Sequence, residues 1–165
     1  MTERGQRTRS AIVAAAAQLM SERGVAATSL DDVLAACGAG KSQLYHYFGS
    51  KQELIAAVID HQLQGILAGQ PRLEHMHTWE DFEGWAADLL SMHAGPDGPY
   101  ACPLGSLVGE LDGDPALQIE LDSAFCTWES YLARGLTRLG GRESSATTPT
   151  RAAWQPPPWR PCRAG

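Results

Sequence analysis

Long hydrophobic runs are missing from this 165-residue chain: it has no stretch of about 18 apolar residues, which argues against a transmembrane helix. The Ala-rich run from Ala11 to Ala17 lacks a cleavage site. No signal peptide is therefore read, and the chain is expected to be cytoplasmic. Cysteine is sparse as well. Cys37, Cys102, Cys126 and Cys162 are far apart and form no CxxC pair or ligand cluster, so all four are expected as free thiols in a reducing compartment. The chain contains neither a GxGxxG nor a GxxxxGKS/T loop. No motif places a Ser/His/Asp set, and His61, His75, His77 and His93 lack zinc-site spacing. Catalytic residues, a metal and a cofactor are accordingly not expected. Alternating strand patterns are also absent, which leaves the all-α class.

What is present is the composition of an ordinary globular protein, 44% hydrophobic and 19% charged, and enough chain for one domain or two small ones. The net charge of −6 is unevenly spread. Residues 1–51 carry a balance of +2, residues 61–139 one of −9, and residues 140–165 one of +3. A mildly basic head on an acidic body suits a head that meets phosphate while the body stays clear of it.

Four helices are readable in the first seventy residues. Ile12, Ala15, Ala16, Leu19 and Met20 recur near a 3.6-residue period from Gln6 to Arg23, and Gly24 is a natural stop. Thr28 with Asp31 three residues on resembles a capping box and opens a helix to about Cys37, with Val33, Leu34 and Ala36 inward. A second short helix runs from about Lys41 to Phe48. Ser50 with Glu53 then caps a long helix through Leu54, Ile55, Val58, Ile59 and Leu63. Beyond Pro71, Thr78 can cap a helix bearing Trp79, Phe82, Trp85, Ala86, Leu89 and Met92. Gly95 to Pro99 is a loop, and Cys102 to Leu111 reads as a short helix. Asp114-Pro115 opens a last periodic run through Leu117, Leu121, Phe125, Trp128, Leu132, Leu136 and Leu139.

Two short helices about a Gly38-Ala39-Gly40 turn have the spacing of a helix-turn-helix, whose second helix would lie in the major groove of DNA. Leu44 would pack inward. Lys41, Ser42, Gln43, Tyr45 and His46 would then lie on or near the exposed side, able to bond phosphate or base edges. Arg7 and Arg9 either reach backbone phosphate or are plain charged residues of the first helix.

The stretch from Gly24 to Val33, then Cys37-Gly38, then Lys41-Ser42-Gln43-Leu44-Tyr45-His46-Tyr47-Phe48-Gly49-Ser50-Lys51-Gln52-Glu53-Leu54, resembles the N-terminal domain of the TetR family. The resemblance covers about residues 7–60. It implies a three-helix DNA-binding head (residues 1–50) joined to a helical effector-binding and dimerisation domain (residues 51–139). It also implies a homodimer on a palindromic operator, acting as a repressor, or less often an activator, that a small apolar effector releases. Carried over by position, Tyr45 and Lys51 resemble the family's phosphate contacts and Thr28 its phosphate-contacting cap. Gln43 and His46 sit where base readers often sit, and Lys41 could serve either role. Gly40 stands where the family usually has Ser, and Ser42-Gln43 replace a frequent Gly-Thr pair, which alters the operator expected.

Cys102 to Leu111 is similar to a segment of the LmrA/YxaF branch of these regulators. The resemblance makes Trp85, Met92, Tyr100, Phe125 and Trp128 candidates for an effector pocket, along with Trp79, Phe82 and His93; each could equally be core. Residues 140–165 form an irregular Pro-, Arg- and Trp-rich tail. It reads as disordered when taken alone. Back-translated with G/C-rich codons, residues from Ala153 onward reread in a shifted frame as an amphipathic helix, so a frameshift near Leu139–Arg142 and a truncated C-terminus are a second reading. That reading keeps an alternative function open: a truncated helical interaction module without specific DNA binding.

Overall fold

The structure, a computed structural model, describes residues 2–94 and 102–140. The frameshift reading and the Gly95–Pro99 loop lie outside those residues. The described residues are helical and include no strand: α1 (Glu3–Arg23), α2 (Leu30–Cys37), α3 (Lys41–Tyr47), α4 (Lys51–Gly69), α5 (Trp79–His93) and α6 (Pro115–Gly140). Short 3-10 turns lie at Pro71–Leu73 and Gly105–Leu107. No helix among them is long and apolar enough to cross a membrane.

Local chemistry sets most of the boundaries. Thr2 accepts from the Gly5 amide, so α1 starts three residues before the expected Gln6. Gly24 ends α1 at φ +87°, a conformation that favours glycine. The cap of α2 is Ser29, which corrects the expected Thr28–Asp31 pair by one residue. The Asp32 amide donates to Ser29 Oγ at 3.1 Å, and Asp32 Oδ2 accepts from the Ser29 amide at 2.9 Å. Thr28 is unavailable because it is buried and its hydroxyl donates to the Gly24 carbonyl at 2.8 Å. Thr78 caps α5 as expected, and with Asp81 it forms the same reciprocal box. Ser50 caps α4, while Glu53 reaches back to the Gly49 amide.

Asp32 and Asp81 are both held below the ordinary carboxylate value of 3.8. The first cause is the Ser29 side-chain hydrogen bond for Asp32 and the His77 backbone N–H for Asp81. A depressed folded value means that each cap contributes stability above 3.8 and loses it as the pH falls through the lowered value. Asp32→Asn and Asp81→Asn should each flatten the acid limb of a helicity-against-pH curve. An unchanged acid limb would show that these caps do not matter to stability.

Helix α1 packs against α2, α3 and α4, and α4 packs in turn against α6. One continuous core results, running from Ile12, Ala16 and Met20 through Val33, Leu44, Phe48 and Leu54 to Leu104, Leu111 and Leu121. All five apolar residues expected to bury from α4 do so: Leu54, Ile55, Val58, Ile59 and Leu63. Ala36 does not; it lies exposed on α2. A second cluster of Leu73, Met76, Trp85 and Leu139 joins α5 to α6. There Gly135 permits the approach, since a Cβ on it would meet Met76 Sδ at 2.8 Å. Arg138 adds hydrogen bonds to the Leu73, Glu74 and Met76 carbonyls.

Two further expectations need correction. Cys102–Leu111 is not an α-helix; it holds only the turn at Gly105–Leu107. Leu104, Leu107 and Leu111 still bury at helical spacing, but Pro103, Gly105 and Gly109 weaken a continuous helix. Cys37 and Cys102 are free thiols, whereas Cys126 is disulfide-bonded, against the expectation of four free thiols. Cys162 lies outside the described residues.

Candidate nucleic-acid interface and effector cavity

The turn between α2 and α3 is built on Gly38, whose φ of +67° lets its amide cap the Leu34 carbonyl at 3.0 Å. Gly40 has no side chain with which to cap α3, and Gln43 compensates: its Oε1 accepts from the Gly40 amide at 3.0 Å. Helix α3 is then anchored from within. Leu44 and Phe48 are 0% and 2% exposed, and the Arg9 guanidinium lies 5.2 Å from the Phe48 ring centroid. Arg9 thus stacks on the head's own aromatic ring, while Arg7 pairs loosely with Glu3 at 3.6 Å.

The inward anchors leave Lys41, Ser42, Gln43, Tyr45 and His46 on the exposed side, as the spacing predicts. Tyr45 is 49% exposed, next to the fully buried Leu44 on the same short helix. Lys41 Nζ sits 3.6 Å from Asp31 Oδ1 in an open pair that restrains it little. His46 meets Tyr47 edge-on, with ring centroids 5.1 Å apart.

The other two residues carried over by resemblance are placed differently. Thr28 is 1% exposed and its hydroxyl donates to the Gly24 carbonyl, so it holds the α1–α2 turn. Lys51 is half-buried and donates to the Val25 carbonyl at 2.7 Å. Val25 is also held at its amide, which donates to the Glu110 carboxylate from the body of the molecule. Sequence reading missed this clamp, because nothing in local periodicity connects two groups 85 residues apart.

In the body, α4, α5, α6 and the Cys102–Leu104 segment enclose a cavity of about 250 Å³. Met92, Phe125 and Trp128 line it. Trp85 is not in the wall: it is buried behind it, in the cluster with Leu73 and Met76. Phe82 packs in that same cluster, Trp79 is 49% exposed, and Tyr100 lies outside the described residues. His93 and Cys102 also border the space. Gln70, the residue that ends α4, was not singled out from the sequence. Its Oε1 accepts from both Trp85 Nε1 and Trp128 Nε1, at 3.1 and 3.3 Å, and so ties three helices together beside the cavity. Among the described residues no group of three or more metal-ligating side chains occurs.

Comparison with known proteins agrees with this geometry. Residues 12–58, which span the helix-turn-helix, match the family of bacterial regulatory proteins, tetR family. The chain is 33% identical over 147 residues to an uncharacterized HTH-type transcriptional regulator in the lacX 3' region of Lactococcus lactis subsp. lactis, over 81% of this chain and 70% of that protein. It is 28% identical over 156 residues to the uncharacterized HTH-type transcriptional regulator YxaF of Bacillus subtilis, covering 88% of this chain and 78% of that one. The fold is that of the E. coli NemR structure in its reduced form, with a TM-score of 0.73 at 21% identity over 86% of this chain and 75% of NemR. With the helix-turn-helix and the relatives in agreement, the chain belongs to the TetR family of DNA-binding transcriptional regulators.

Proposed function

We propose that the chain is a repressor that binds a palindromic operator as a homodimer and is released when a small apolar molecule enters the cavity between α4, α5 and α6. It acts in the cytoplasm and is not an enzyme. The observation that carries this reading is the division of α3 into a buried side, Leu44 with the adjoining Phe48, and an outward row of Lys41, Ser42, Gln43, Tyr45 and His46. All five outward residues offer hydrogen-bonding groups of the kind that read base edges and phosphates. Lys51 keeps two further ammonium protons for a phosphate beside its bond to Val25. The charge contrast between head and body supports the same orientation.

Dimerisation sets the geometry of the operator, because two α3 helices must meet half-sites separated by one helical turn of DNA or a multiple of it. The test is fluorescence anisotropy of the purified chain on its own upstream DNA at two salt concentrations. With about six phosphates neutralised, affinity should fall on the order of a thousandfold between 50 and 200 mM salt. A folded, helical chain that binds no DNA would instead favour the interaction module that leaves the operator unread.

A further inference from the structure

The cavity carries a more specific chemical instruction than apolarity, and that instruction rests on the effector reading above. Indole N–H groups only donate, so the two tryptophans fix which end of the Gln70 amide is oxygen. Both acceptor positions of Oε1 are then taken. The amide nitrogen, Nε2, has no partner among the described residues, although Gln70 is only 9% exposed. No buried side-chain polar atom of the described residues is sealed away without a partner, so Nε2 keeps accessible surface, on a residue that lines the cavity.

The walls define the rest of the occupant. Ile66, Leu89, Met92, Leu104, Phe125 and Trp128 supply apolar surface, and among the described residues no Lys, Arg, Asp or Glu lines the space. Gly65 and Gly69, one turn apart on α4, border it with no side chain, and a Cβ on either would meet nothing within 4 Å. That leaves a flat strip of backbone beside Gln70. A cavity of roughly 150 Å³ holds benzene, so 250 Å³ suits about two fused rings.

We propose that the cavity binds an uncharged, flat molecule of about two-ring size whose single hydrogen-bond acceptor, a carbonyl or ether oxygen, accepts a hydrogen bond from Gln70 Nε2. The occupant's acceptor completes the amide. A hydrocarbon of the same shape would shut Nε2 away from water unpaired, and this difference is the basis of selection.

Acetylnaphthalene and ethylnaphthalene form a matched pair of probes, differing in the presence of the carbonyl acceptor. Their affinities can be measured by equilibrium dialysis against the full chain and against Gln70→Glu. The glutamate still accepts from both indoles but has no amide protons. The ratio of ketone to hydrocarbon affinity should fall about tenfold in the variant, the scale expected for one hydrogen bond. Gln70→Met, checked for an intact helical melting transition, should lower the ratio in the same direction. An unchanged ratio in folded variants, or a wild-type chain that binds neither probe, would overturn the proposal. DNA binding measured on the same samples separates the two readings: operator binding without probe binding leaves the regulator and removes this ligand class. Loss of operator binding with the ratio intact does the reverse.

Discussion

Phe48→Ala will destabilise the chain by about 3–5 kcal/mol, the usual range for deleting a buried aromatic ring. The ring is 2% exposed, packs in the same core as Leu44 and Leu54, and carries the Arg9 guanidinium 5.2 Å from its centroid. It lies where α3 passes into α4, so the vacancy would open between the recognition helix and the helix that supports it. Against a total stability of about 5–15 kcal/mol, a loss of this size removes a large share of the margin that keeps the chain folded. Urea unfolding followed by helicity measures it directly, as a lower midpoint with a similar slope. A loss below about 1 kcal/mol would contradict the packing described, because such values belong to surface positions.

Three residues earlier, on α3, the opposite result is expected. Tyr45→Ala should shift stability by no more than about 0.5 kcal/mol, since the side chain is half exposed and lies outside the buried core. Operator affinity should nevertheless fall about tenfold to a hundredfold, because a lost phosphate or base contact is worth roughly 1–3 kcal/mol. Anisotropy titrations and thermal melts on one preparation give both numbers. Unchanged affinity would remove Tyr45 from the interface, and a large loss of stability would make it a core residue. The contrast between Phe48 and Tyr45 separates a residue that holds the helix in place from one that uses it.

Much of this arrangement is legible in the sequence because it is local. Helix α4 could be read residue by residue: Ser50 caps it, and the positions at a 3.6-residue period are the ones that bury. The outward row of α3 follows from the same period once Leu44 is set inward. Failures arise where two local solutions compete or where the partner is distant. Thr28–Asp31 and Ser29–Asp32 are equally good capping pairs on paper. Burial of Thr28 beneath the α1–α2 turn decides between them, and only tertiary packing supplies it. The segment at Cys102 has helical spacing of leucines but too much glycine and proline to be a helix. Trp85 belongs to the helix face expected of it but points behind the cavity wall, held by the Gln70 amide. Gln70 itself, a polar residue at a helix end before a proline, gives no sequence sign that two indoles converge on it.

The clamp on Val25 has a mechanical consequence. Its amide is held by Glu110 and its carbonyl by Lys51, so the two peptides that flank one residue of the α1–α2 turn are gripped, one from the body and the other from the start of α4. The head therefore cannot swivel on α4 alone without breaking a bond to the body. Glu110 belongs to the stretch whose first residues, Cys102 to Leu104, wall the cavity. On the proposed function, a shift in that wall would reach the α1–α2 turn by a second linkage, in parallel with α4. Thermodynamic reciprocity would make the linkage work in both directions, so DNA that fixes the head would also set how readily the wall gives way.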